Sequence, residues 1–154
     1  VLYPGSEDRS VSQEVAEQKP FLIVIVGANC VPLLERFGGI ICLDSVYKLD
    51  RNRWPIWALV VEDSSGHGWP VAFLYSSSGR AETLARGLRI VRDHAEEKLS
   101  RKWTPIVMID HDEAERAAAE LLGWPIRLCE FHLSKAWRQA LRQASRNGKL
   151  TSQS

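Results

Sequence analysis

The chain has few cysteines and no long hydrophobic run, and these two shortages exclude several classes of protein. It contains three widely spaced cysteines, Cys30, Cys42 and Cys129, and starts without a signal-like segment. That pattern argues against a disulfide framework and favours a reducing compartment. The longest apolar stretch, residues 21–26, is far too short to span a bilayer. We therefore expect an intracellular, soluble protein without a membrane partner.

An excess of charge of one sign is also missing. Lys and Arg number 20 and Asp and Glu number 19, so the formal net charge is only +1 and indicates no particular partner. The distribution of the charge is more informative, because a segment without acids carries Lys135, Arg138, Arg142, Arg146 and Lys149. The first four of these are candidate DNA contacts on one face of a helix. A solvated helix face is the alternative, and this charge pattern alone slightly favours it.

The hydrophobic pattern predicts one α/β domain over residues 21–145, between a polar linker or disordered end at 1–20 and a polar tail at 146–154. A strand is predicted at 21–26, and a short helix or an irregular bridge follows it. Short connections between the strands at 40–47, 56–61 and 71–75 predict an antiparallel meander. Helices and strands then alternate, with predicted elements at 80–99, 106–110, 112–122, 126–131 and from 132 onward. This order predicts a three-layer α/β fold with a mixed sheet.

A single carboxylate, Asp44, stands inside the apolar run of residues 40–47, which is typical of a central strand covered on both faces. Desolvating an unpaired carboxylate is costly, so a buried Asp44 would need a metal ion or another cation. Asp110 ends a strand that right-handed crossovers place parallel to the Asp44 strand. Two converging carboxylates suit Mg²⁺ or Mn²⁺, and paired metals promote attack on phosphodiesters.

The alternative for Asp110 is a local role, in which it caps a turn or the following helix. Asp112 is better placed for the helix cap, because Asp112 and Glu115 form a capping-box-like pair. The spacing of Asp44 and Asp110 by itself is weak evidence for a metal site.

Cys129 and His132 form a Cys-x-x-His pair at the exit from the last strand. Such a pair can bind Zn²⁺, but a structural zinc site takes four ligands, and the sequence offers no second compact pair. Cys30 and Cys42 are candidates for the other ligands, as are the remaining histidines. The favoured alternative is that Cys129 packs as a small hydrophobe while His132 caps the helix start.

Six segments in this order resemble a known family: LERFG at 34–38, CLDSVYK at 42–48, WPI at 54–56, PVAFL at 70–74, PIVMID at 105–110 and LCEFHLSKAW at 128–137. Together with Glu82, Ala114 and Ala118, they resemble the transposase domain of Mutator-like elements (MULE). That family is related to far-red-response factors derived from transposases. The resemblance covers residues 21–141, and the order and spacing of the segments are more specific than any one of them.

The resemblance implies a ribonuclease-H-like fold and DNA transposition by divalent-metal phosphoryl transfer. Asp44 and Asp110 would match the first two catalytic acids, with Mg²⁺ or Mn²⁺ as cofactor, and Cys129 and His132 would match the family's Cys-x-x-His signature. The implied partners are transposon ends and target DNA, and a homo-oligomer is compatible with this family. The implied location is the nucleus in a eukaryotic source.

One departure from the family pattern affects the expected activity. The family's third catalytic acid, usually Glu, lies downstream of a helical insertion, whereas no Asp or Glu follows Glu130 here. We therefore expect a transposase core truncated before its final catalytic helix, which as this chain would not cut DNA, and leave open whether it is an enzyme. The alternatives are a domesticated DNA- or protein-binding module without catalysis and a zinc-stabilised interaction domain.

Overall fold

The computed structural model describes residues 20–46, 51–110 and 112–130, together with Arg138 and Arg142. The elements in chain order are β1 (Leu22–Val26), α1 (Cys30–Phe37), β2 (Ile40–Val46), β3 (Ile56–Glu62), β4 (Gly68–Ser76), α2 (Ala81–Leu99), β5 (Ile106–Ile109), α3 (Glu113–Leu121) and β6 (Ile126–Leu128). The predicted strands and helices of this part are all present, although β6 is shorter than predicted. The predicted final helix and the two polar ends lie largely outside the described residues, so the domain boundaries stay predictions.

The strands form one six-stranded mixed sheet in the order β1-β4-β3-β2-β5-β6. Strands β2, β3 and β4 make the antiparallel meander that their short connections predict. Strand β5 lies parallel to β2, and β6 lies parallel to β5, because a helix crosses over before each of them. The predicted placement of the Asp110 strand beside the Asp44 strand is confirmed.

The three helices of the described ranges, α1, α2 and α3, pack on one face of this sheet and share one hydrophobic core with it. Burial therefore alternates along β2: Ile41 and Leu43 are buried beneath the helices, whereas Ile40 and Asp44 are exposed. The prediction that this strand is covered on both faces is wrong for the described part of the chain. The exposed face also carries Ile25 and other large apolar side chains of the sheet.

Close packing at two points fixes the helices on the sheet. A Cβ added at Gly87 of α2 would overlap the Leu74 side chain of β4, so the helix approaches the sheet where it has no side chain. The buried Trp103 Nε1 donates a hydrogen bond of 2.7 Å to the Gly38 carbonyl oxygen, and its ring contacts Trp124 edge-on at 5.5 Å. None of the described helices combines the length and the apolar character needed to cross a membrane.

Candidate functional site

Asp44 and Asp110 lie at the same end of the sheet, on neighbouring parallel strands. In the pairing of β2 with β5, Cys42 stands opposite Met108, and their Sγ and Sδ atoms are 4.0 Å apart. Each carboxylate comes two positions later, on the same face, because side chains alternate along a strand. Since neighbouring strands are about 4.8 Å apart, the two carboxylates can reach one cation.

The surroundings of the two carboxylates differ from those expected for buried acids. Asp44 is exposed and Asp110 is half-buried. Burial therefore gives no reason for Asp44 to need a cation, and the case for a metal site depends on the strand register instead. One oxygen of Asp110 is engaged locally, because its Oδ1 accepts a hydrogen bond of 2.7 Å from the Asp112 N–H. The local role considered for Asp110 is thus present alongside its position at the strand end.

Asp112 caps helix α3 as predicted. Its Oδ1 accepts hydrogen bonds from the N–H groups of Ala114 at 2.8 Å and Glu115 at 3.1 Å. The predicted reciprocal bond from Glu115 is absent among the described residues, because that side chain is buried and the Asp112 N–H bonds to Asp110 instead. The capping-box prediction is therefore half wrong.

Glu115 is the functional candidate that the sequence patterns did not identify. Its side chain is 0% exposed, and neither carboxylate oxygen has a hydrogen-bond partner in the described part of the chain. Burial raises the pKa of Glu115 to about 8 and the charges of three aspartates add to this shift, whereas the nearby Ser45 hydroxyl lowers it although no hydrogen bond of good geometry joins the two side chains. Those aspartates are Asp110, Asp112 and Asp44. Glu115 is therefore mostly protonated at neutral pH.

A helical spacing could have revealed the burial of Glu115. The buried residues Ala118 and Ala119 follow Glu115 at the third and fourth positions, which places all three on one side of α3. The capping-box interpretation placed the Glu115 side chain at the helix start, so its helical spacing with the buried alanines was not considered. An acid inside an alanine-rich inward stripe is the signal that would have singled it out.

The donor set at the two carboxylates fits a hard divalent cation in part. Within the residues that the structure describes, no group of three or more His, Cys, Asp or Glu side chains is placed to hold a metal ion. Mg²⁺ in phosphate-processing sites commonly uses only one or two carboxylates, while water and substrate phosphates complete its coordination. Asp44 and Asp110 supply that minimal set from two neighbouring strands.

Of the proposed zinc pair, only Cys129 lies within the described residues. Its N–H donates to the Ile109 carbonyl oxygen at 2.7 Å, and its side chain is half-buried, whereas His132 lies outside the described residues. All three cysteines are free thiols. Burial, and after it the charge of Cys129, raises the pKa of the Cys42 thiol. Cys30 is the first residue of α1 and is buried in the hydrophobic core.

Two of the four candidate DNA contacts can be placed. Arg138 and Arg142 are helical and exposed, whereas Lys135 and Arg146 lie outside the described residues. Their exposure fits a phosphate contact and a solvated helix face equally well, so this candidate interface stays a prediction.

Comparison with known proteins identifies the fold class. The matching family model describes the RNaseH-like domain of zinc finger SWIM domain-containing proteins 1 and 3, and it covers residues 7–120. The predicted ribonuclease-H-like mixed sheet is thereby confirmed. No curated protein matches the chain significantly.

Two solved structures show a distant likeness. One is the Mos1 transposase catalytic domain with raltegravir and Mg, at a TM-score of 0.31 and 20% identity, covering 64% of this chain and 56% of that chain. The other is the catalytic domain of Mos1 mariner transposase, at a TM-score of 0.33 and 19% identity, covering 74% of this chain and 68% of that chain. This chain thus spans little more than half the length of the first structure. The fold assignment depends on the family match and not on these structures.

Proposed function

Because the chain belongs to the RNaseH-like domain family of zinc finger SWIM domain-containing proteins 1 and 3, we propose that it is a transposase-type core whose Asp44 and Asp110 hold a divalent cation for phosphodiester chemistry. The proposal depends on one observation, the pairing of Cys42 with Met108 on parallel strands. Asp44 and Asp110 each come two residues later and therefore lie on the same face of the sheet. The MULE resemblance, DNA as substrate and a nuclear location in a eukaryotic source belong to this proposal.

The two carboxylates have distinct parts in this mechanism. Asp44 and Asp110 would hold Mg²⁺ or Mn²⁺, which would polarise a phosphodiester and lower the pKa of an attacking water or 3′-hydroxyl. Asp44 offers its ligand from the exposed face of the sheet, where a long polymer can approach. The Asp112 N–H fixes the orientation of Asp110 by binding one of its oxygens.

Glu115 limits the negative charge beneath this site. A third ionised carboxylate next to Asp44 and Asp110 would add repulsion that a single cation must offset. Because Glu115 is buried and largely protonated at neutral pH, it contributes little charge before a cation arrives. We propose that DNA cleavage requires a further ionised acid in addition to Asp44 and Asp110.

A non-catalytic role is the second candidate. The observation in its favour is that Asp44 is exposed, so its burial does not require a cation. A domesticated domain of this kind would bind DNA without a metal. Its affinity would then depend steeply on salt but stay the same in Asp44→Asn and Asp110→Asn variants.

Zinc binding at Cys129 and His132 is a separate proposal, supported by the free thiol of Cys129 directly after β6. Zinc that copurifies with the protein and is lost in a Cys129→Ser variant would support it. A metal-free parent that folds normally would contradict it.

A calorimetric titration with Mn²⁺ tests the main proposal. The parent chain is compared with an Asp44→Asn/Asp110→Asn variant and with an Asp93→Asn control, which changes an exposed acid on α2 that pairs with Arg92 at 2.9 Å. We expect saturable binding in the parent and the control and none in the double variant. Equal binding in all three, or none in a folded parent, would refute the metal site.

A further inference from the structure

A cluster of three arginines lies at the start of helix α2, apart from the two carboxylates. Arg80, Arg86 and Arg89 line an open cavity of about 800 Å³ that also contacts Pro20 and Glu82. Among the described residues of this lining Glu82 is the only acid, so three positive charges face one negative charge there. No ion pair joins any of these arginines to a carboxylate of the described residues.

The arginines are accessible, and one of them is held in place. The Arg86 Nη2 donates a hydrogen bond of 3.1 Å to the Pro20 carbonyl oxygen, which orients the half-buried guanidinium. Arg80 and Arg89 are exposed. Arg80 stands at the N-cap of α2 in an extended conformation, and its own side chain makes no capping hydrogen bond. The helix end therefore adds partial positive charge to that of the arginines.

The strand pairings place this cluster at the same end of the sheet as the carboxylates. Val46 at the end of β2 pairs with Ile56, which in turn pairs with Tyr75 near the end of β4. The end of β4 pairs with the start of β1, and α2 begins shortly after β4. The arginine cluster therefore lies beside β4 and β1 on the helix-covered face of the sheet, whereas Asp44 lies on β2 on the exposed face.

A duplex that contacts both features must lie across this end of the sheet. Three strand spacings of about 4.8 Å separate β2 from β1, so the two features are at least about 14 Å apart, and their positions on opposite faces of the sheet add to this distance. At least about four base pairs of duplex, with a rise of about 3.4 Å each, cover such a separation. The Phe21 and Trp54 rings contact each other edge-on at 4.7 Å and join the start of β1 to the segment before β3.

We propose that the arginine cluster of Arg80, Arg86 and Arg89 binds the phosphate backbone of the duplex DNA that reaches Asp44 and Asp110. This inference rests on the proposed function, because that function supplies the polymer. Guanidinium groups bind phosphate oxygens through paired hydrogen bonds, and these three have no competing carboxylate partner in the described chain. An open, charged cavity suits a polymer backbone better than a small molecule, which needs an enclosed and mostly apolar pocket.

Fluorescence anisotropy with a labelled DNA duplex, measured over a salt series, tests the proposal. The full chain is compared with an Arg80→Gln/Arg86→Gln/Arg89→Gln variant. Each lost phosphate contact reduces the slope of log affinity against log salt by about 0.9, so we expect a reduction of about 2–3. The affinity at about 0.1 M salt should fall on the order of a hundredfold.

Two controls separate the charge effect from a folding defect. Arg92→Gln removes an arginine of the same helix that is paired with Asp93, and it should leave the slope unchanged. If loss of the Arg86 bond to Pro20 unfolds the triple variant, the Arg80→Gln/Arg89→Gln variant alters only exposed side chains. Its slope should still fall by about 2. Thermal melting of each variant verifies the fold.

Several outcomes would overturn the inference. These are an unchanged slope in a folded variant, an equal loss in Arg92→Gln, or competition by inorganic phosphate at constant ionic strength, which would indicate a site for free anions. The Mn²⁺ titration is independent of this test. A reduced slope without Mn²⁺ binding would support DNA binding by the arginine cluster and refute the metal site. Mn²⁺ binding with an unchanged slope would refute only DNA binding by the arginine cluster.

Discussion

The buried carboxyl group of Glu115 should make the stability of the fold depend on pH. Its pKa is about 8 in the folded protein, against an ordinary value of 4.5. The native state therefore binds this proton more tightly than the unfolded state does, and stability falls as the pH rises from 4.5 to about 8. At about 1.4 kcal/mol per pH unit, the full effect is at most roughly 5 kcal/mol, because local opening can hydrate the carboxylate.

Urea unfolding followed by circular dichroism at several pH values measures this effect. Between pH 5 and pH 8, the parent should lose about 3 kcal/mol through Glu115, and Glu115→Gln should lack this loss because its side chain does not titrate. Glu120→Gln is the matched control, since Glu120 is an exposed acid on the same helix, and it should keep the pH dependence of the parent. Parallel pH profiles for the parent and Glu115→Gln, with equal urea dependence, would refute the assignment of a buried, protonated Glu115.

Two further predictions concern the packing of the helices on the sheet. Gly87→Ala should destabilise the protein by about 1–3 kcal/mol through overlap with Leu74. Gly39→Ala should leave the stability unchanged, because a Cβ added there meets nothing within 4 Å. Equal urea midpoints for Gly87→Ala and Gly39→Ala would contradict the close packing of α2. Trp103→Phe should cost about 1–3 kcal/mol, because it leaves the buried Gly38 carbonyl without its 2.7 Å hydrogen bond. A thermal melt unchanged from that of the parent would show that this hydrogen bond contributes little.

Local sequence patterns predicted most of the elements but not all of their neighbours. The short connections correctly predicted the meander of β2, β3 and β4, because two antiparallel strands need only a tight turn. The strand at Leu22–Val26 was also predicted, yet its pairing with β4 was not, because its partner lies far along the chain. Alternation of exposure along β2 was missed for a related reason. Its run of apolar residues is typical of full burial, whereas the described helices cover only one face.

The candidate site was predicted in its position and not in its environment. Asp44 and Asp110 could be assigned to neighbouring parallel strands, because the handedness of crossover connections is nearly fixed. The exposure of Asp44 and the burial of Glu115 depend on which sheet face the helices cover, and sequence spacing does not specify that choice. The arginine cluster was missed because Pro20 is far in sequence from Arg80, Arg86 and Arg89. The pairing of β1 with β4 brings them to one cavity.

The most direct test of the central claim is to map Mn²⁺ binding by paramagnetic broadening of backbone amide signals in NMR spectra of the full chain. If Asp44 and Asp110 share one cation, the amides of Ser45 and Ile109 should broaden first at low Mn²⁺ concentration. Both effects should disappear together in Asp44→Asn, while the amides near Asp63, in the turn between β3 and β4, stay sharp. Broadening that starts elsewhere, or that persists at Ile109 when Asp44 is replaced, would contradict a shared site.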